Sequence, residues 1–155
     1  MCIRDSVSSD PVTNSTTQGI VINSAPVNVS GQSAIAGSAS ATINWTNPTT
    51  GCFDDIMIVA KATAFTAAVP SGNLYTSNSN SFSDVTNDLF DGGVIVYKGS
   101  TPGQIITGLN NGTAYSFKIF TRTGNDWSNG VVVTATPVFT LGVGDIQFIG
   151  MNTAA

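Results

Sequence analysis

Between residues 26 and 137 the chain alternates apolar and polar side chains in short runs separated by turn formers. Ala41-Thr42-Ile43-Asn44-Trp45-Thr46 is apolar at odd and polar at even positions, the period-2 pattern of a strand with one buried face, and Asn47-Pro48 ends it. Pro26 opens an earlier run of small and apolar residues that reaches Ala36 and stops at Gly37-Ser38. Further strands are predicted over Ile56 to Lys61, Val94 to Tyr97, Gln104 to Thr107, Thr113 to Arg122 and Val131 to Thr136. Asp91-Gly92-Gly93, Asn110-Asn111-Gly112 and Gly124-Asn125-Asp126 supply turns between them. Seven short strands with no apolar stripe of helical period predict an all-β, seven-stranded antiparallel sandwich.

The alternation assigns Ile43, Trp45, Ile56, Ile58, Ile106, Leu109, Tyr115, Phe117 and Ile119 to the inner layer and leaves Phe120 facing outward. One stretch breaks the rhythm. Ala64 to Gly92 puts 29 residues between two middle strands, long for a connection in a compact domain. It carries Phe65, Val69, Leu74, Tyr75, Phe82, Val85, Leu89 and Phe90, too many large apolar groups for a solvated loop, so it is expected to fold back over one edge of the sandwich.

Composition narrows the chemistry. Of 155 residues, 17 are Ser, 20 Thr and 14 Asn, only 9% are charged, all nine acids are Asp, and His is absent. Without His there is no Ser-His-Asp or Cys-His catalysis and no His-containing zinc site. A net charge of −4 with five basic residues is a poor match to nucleic acid phosphates. The longest strictly apolar run, Ile56 to Ala60, is far short of the ~20 residues that span a bilayer. No cofactor and no membrane insertion are expected, and the chain reads as a monomer.

Residues 1–6, Met-Cys-Ile-Arg-Asp-Ser, match a translated transposase adapter from sequencing libraries and are set aside from the fold. That leaves Cys52 as the one native cysteine, with no intrachain disulfide expected. Residues 7–25 read as a linker or the tail of a preceding module, 26–137 as the sandwich domain, and 138–155 as a linker and the truncated first strand of a following domain.

At Leu109-Asn110-Asn111-Gly112-Thr113-Ala114-Tyr115, followed by Phe117 and Ile119, the chain resembles the fibronectin type III family, whose pattern is Leu-x-Pro-x-Thr-x-Tyr and then alternating apolar residues. Asn111 stands in place of the family's Pro, and Trp45 sits where the family has its second-strand tryptophan. The resemblance implies an immunoglobulin-like sandwich with a structural core at Trp45, Leu109, Tyr115 and Phe117, in which the Tyr115 hydroxyl bonds backbone a few residues upstream. It further implies a module of a large secreted or cell-surface bacterial multidomain protein. Gly144-Asp145-Ile146-Gln147-Phe148-Ile149-Gly150 is similar to the first strand of lamin-tail-like domains.

Several residues invite a sharper reading. Trp127, beside Gly124-Asn125-Asp126 in the last hairpin, is the candidate for surface recognition, with Tyr75 of the insertion as its partner. Asp84, Asp88 and Asp91 supply oxygen ligands but at no calcium-loop spacing, and solvated carboxylates explain them better. Asp54-Asp55 cannot work as an acid–base pair if neighbours on a strand point to opposite faces. Cys52 lacks a His or a basic cluster to activate its thiol and reads as a small half-buried side chain. The expected function is a non-catalytic extracellular module, either a structural spacer or accessory domain or, as the alternative, an adhesion module binding polysaccharide or protein. An accessory fragment of an extracellular hydrolase is a third reading. Neighbouring domains of the same polypeptide are the expected partners.

Overall fold

A computed structural model describes residues 25–140. The readings for residues 1–6, 7–24 and 141–155 lie outside the described residues. Nine strands follow one another: β1 Ser30–Gly37, β2 Ser40–Thr46, β3 Asp55–Lys61, β4 Leu89–Phe90, β5 Gly93–Gly99, β6 Gln104–Ile106, β7 Tyr115–Thr123, β8 Asp126–Trp127 and β9 Val131–Ala135. The seven long runs of the sequence are seven of these, and β4 and β8 are two-residue ribbons added at the hairpins. One sheet has the order β1-β2-β6, and the other has the order β4-β5-β3-β7-β8, with β9 also on β7. All strand pairs are antiparallel, so the chain is an immunoglobulin-like sandwich with a small and a large sheet.

The two sheets enclose a core that contains all nine inner-layer residues, with Val29, Ala41, Ala60, Val96 and Tyr97. The alternation puts them there, since β2 and β7 each turn one set of side chains inward. In β5 the register slips by one residue opposite Ile58 and Val59, and this bulge lets the neighbours Val96 and Tyr97 both reach the core. Tyr115 buries its ring, and its hydroxyl accepts the Asn110 amide at 3.1 Å. Asn111 accepts the Ala39 amide through its side-chain oxygen at 2.8 Å and so ties this corner to the β1–β2 turn, a bond that Pro could not make. Trp45 leans on Tyr97 with ring centroids 5.7 Å apart, and its indole N–H donates to Asn47.

A second apolar cluster lies on the far side of the large sheet. Met57, Val59, Ile95, Phe120 and Trp127 are buried there under Phe65, Tyr75 and Phe90. The outward-facing reading of Phe120 is therefore corrected: the insertion roofs the outer face of the sheet and leaves Phe120 fully buried. The insertion also reaches one sheet edge, where the Phe82 amide donates to the Thr107 carbonyl and Ser81 bridges Thr107 just past β6. Its principal contact is thus with a face and not with an edge. Asp91 and Gly92 join β4 to β5 with φ of 50° and 72°, the left-handed pair of a tight two-residue hairpin turn.

Candidate functional site

Seen from its outer face, the large sheet interleaves charged and apolar groups. β3 presents Asp55, Met57, Val59 and Lys61, and opposite them β7 presents Arg122, Phe120, Lys118 and Ser116. Each described cation on this face is spent on holding chain against the sheet. Lys61 donates to the Asp91 carbonyl, with the Asp91 carboxylate 3.8 Å away. Lys118, only 6% exposed, donates to the carbonyls of Thr66 and Ala68 and lies 4.9 Å from the Phe120 ring centroid. Lys98 donates to the carbonyls of Asn73 and Tyr75. Arg122 forks onto both oxygens of Asp55 at 2.9 and 2.7 Å, and that hydrogen bond holds its guanidinium firmly charged.

Asp54 does not point away from this pair. It sits just before β3, where the opposite-face rule for strands does not apply, accepts the Gly124 amide at 2.7 Å and lies 3.5 Å from Arg122. Both carboxylates therefore converge on one guanidinium and brace the loop before β3 against the β7–β8 hairpin. Cys52 in that loop is exposed and not half-buried.

The insertion is also stapled internally by a repeated device, an Asp carboxylate that accepts both the amide and the hydroxyl of one Thr. Asp91 does this with Thr66, Asp88 with Thr76 and Asp84 with Thr86. Ser79 adds its hydroxyl to Asp84. These bonds favour the charged forms: the Ser79 hydroxyl first, then Thr86, holds Asp84 below its ordinary value, and the Thr66 amide first, then its hydroxyl, does the same for Asp91. Asn87, 5% exposed, satisfies its whole amide by accepting from the Asn78 and Ser79 amides and donating to the Ser79 and Ser81 carbonyls. The three carboxylates are thus separate staples, and among the described residues no three His, Cys, Asp or Glu side chains group to hold a metal.

Trp45, Leu109, Tyr115 and Phe117 all lie in the core between the sheets. Trp127 is placed differently from its recognition role: it is 4% exposed, donates its indole N–H to the Gly72 carbonyl at 2.7 Å and packs edge-on against Tyr75 and Phe120. Tyr75 is half-buried between Trp127 and Phe90, so its ring is engaged in the roof of the sheet. What the surface does offer lies beside them. Leu74, Val85 and Leu89 of the insertion are 89%, 95% and 68% exposed, which corrects the expectation that they fold back. Val85 and Leu89 line an open depression of about 490 Å³ with Phe82, Val94, Asp84 and Asp88, and Leu74 and Leu89 line its smaller neighbour. In the sequence these aliphatics look like core residues, and only the commitment of the flanking Asp84, Thr86 and Asp88 to turns shows why they stay outside.

No family model and no curated protein matches the chain. Among solved structures it is similar to "FN3tt mut" (TM-score 0.46, 16% identity, covering 73% of this chain and 97% of that one). It is also similar to the fourth FNIII domain of a human protein (0.45, 14%, 84% and 95%). A third is the sixth fibronectin type III domain of human fibronectin type III domain containing protein 3 (0.46, 17%, 77% and 92%). No described helix is long and apolar enough to cross a membrane. Strand order and the Tyr115 corner make the described chain an all-β, immunoglobulin-like module.

Proposed function

We propose that this chain is a non-catalytic, extracellular spacer module of a larger polypeptide, a monomer whose partners are its own neighbouring domains. One observation carries the reading: the chain enters and leaves at opposite ends of the sandwich. The Gly130 amide, just before β9, donates to the Asn28 side chain just before β1, and the Val138 amide, just after β9, donates to the carbonyl of Gly37 at the end of β1. β1 and β9 therefore run side by side in the same direction, and entry and exit are separated by the length of eight-residue β1, about 23 Å. Such a module lengthens a polypeptide instead of folding it back.

The chemistry of the surface agrees with a structural role. All four described cations are engaged, and Asp54, Asp55, Asp84, Asp88 and Asp91 each brace a loop. The extracellular setting follows the family resemblance of the Leu109 to Tyr115 corner. Spin labels at the exposed Val27 and Val138 of the full chain test the in-line geometry by pulsed dipolar spectroscopy. A single narrow distribution at about 20–35 Å is expected, and a short or broad one overturns the reading. Saturable retention of the chain on a polysaccharide panel overturns it in favour of sugar binding.

A further inference from the structure

The depression on the insertion brings strongly exposed aliphatics and two carboxylates onto one built surface. Val85 and Leu89 stand on it at 95% and 68% exposure, Phe82 and Val94 form its floor, and Asp84 and Asp88 line it as well. Leu74 extends the apolar surface into the adjoining depression, which shares Leu89 and Asp88. The scaffold beneath is fixed, because Phe82 packs edge-on against Tyr115 at 5.0 Å and both carboxylates are held by threonines. Asp88 keeps one carboxylate oxygen, Oδ1, with no hydrogen bond among the described residues, so it can still accept a cation.

We infer that this surface docks a protein segment that presents an aliphatic or aromatic side chain flanked by Lys or Arg. Charge chooses the occupant. A second copy of the chain would bring Asp84 and Asp88 against their own likes, and the described cations that could answer them are all committed on the outer face of the large sheet. A sugar would be expected to stack on a well-exposed ring, whereas Phe82 and Tyr75 are both half-buried against neighbouring rings and the exposed groups here are aliphatic. A partner that carries its own cations meets both the apolar floor and the carboxylates.

The test uses the full chain on three sets of immobilised short peptides: Leu or Phe flanked by Lys and Arg, the same apolar residues flanked by Glu, and the basic residues with Ser in place of the apolar ones. Retention on the first set, at least about tenfold above the other two and weakened by added salt, is expected. Val85→Ser and Leu89→Ser should each remove most of it with the near-ultraviolet circular dichroism unchanged, while Ile105→Ser, exposed on β6 of the small sheet, should leave it intact. Leu74→Ser serves as a further probe if either of the first two fails to fold. Equal retention on both basic sets would reduce the surface to charge attraction and overturn the inference. Retention on the acidic set, no retention at all, or a dimer in sedimentation that Val85→Ser dissolves would each overturn it as well.

Discussion

The large sheet meets another sheet on its inner face and a loop on its outer face. Inside, Ile56, Ile58, Ala60, Phe117 and Ile119 pack with the residues of β2 and β6, and burial of apolar area holds the centre of the two layers together. Outside, Met57, Val59, Ile95 and Phe120 are just as dry, yet their cover is a segment that offers only Phe65, Tyr75 and Phe90 as large packed side chains. That segment has no ladder with the sheet beyond the short β4–β5 pairing, so Lys61, Lys98, Lys118 and the Asp–Thr staples supply the restraint. A loop can dry a sheet face when polar clamps fix it at several points, and it then inherits their sensitivity to salt and acid.

The largest effects should come from cutting each cluster at its centre. Trp45→Ala opens the inner core and should cost ~3–5 kcal/mol in urea unfolding of the full chain. Phe120→Ala should now cost a similar ~3–5 kcal/mol, because its ring is fully buried against Phe90, Trp127 and Lys118. A Phe120 loss under ~1 kcal/mol would show that the roof is not closed in solution. Amide exchange would separate the two sites, with Phe120→Ala releasing residues 65–92 and Trp45→Ala loosening β1, β2 and β6.

A smaller effect is expected at the charged end of the outer face. Arg122→Met keeps an unbranched apolar side chain but removes the guanidinium over the Trp127 ring and leaves Asp54 and Asp55 without their shared partner, and should cost ~1–2 kcal/mol. Added salt should narrow the gap between variant and parent. A gap that salt does not change would assign the loss to packing alone.

The mildest perturbation is acid. Asp84 and Asp91 have folded pKa values below their ordinary ones, so they add stability that is fully present above the usual carboxylate pKa, ~4, and is lost as pH falls through the lower folded values. Between pH 5 and about 2 the amides of Thr66 and Thr86 should therefore lose exchange protection before those of β2 or β7 do. Simultaneous loss in both regions would mean that roof and core unfold as one unit.

The strands were legible because a face that is dry on one side writes period 2 into the sequence, and Trp45 and Tyr115 stand on such runs. The outer cluster was also written, but in a form that the one-dry-face rule misreads. Ile56 to Ala60 is apolar at every position, which is the mark of a strand covered on both sides, and all five residues are fully buried. Read that way, β3 demands a roof and makes Phe120, across from Met57, a buried residue. The clamps were not legible. Lys118 reaches Thr66 across 52 positions and Trp127 reaches Gly72 across 55, and nothing local marks either end. Only the Asp84–Thr86 staple, two residues apart, belongs to the short-range turn patterns that a sequence displays. Val85, inside that staple, stands in solvent instead of folding back over an edge.

The side-by-side, same-direction course of β1 and β9 has a mechanical side. Tension applied where the chain enters at Ser30 and leaves at Val138 runs along both strands, at right angles to the hydrogen bonds that tie β1 to β2 and β9 to β7. Those bonds are then sheared together instead of being unzipped one after another. The first rung pair to bear load is Ser30 with Thr46, and the irregular register between Ser30 and Ser33 is where such a pull would begin to detach the first strand from the module.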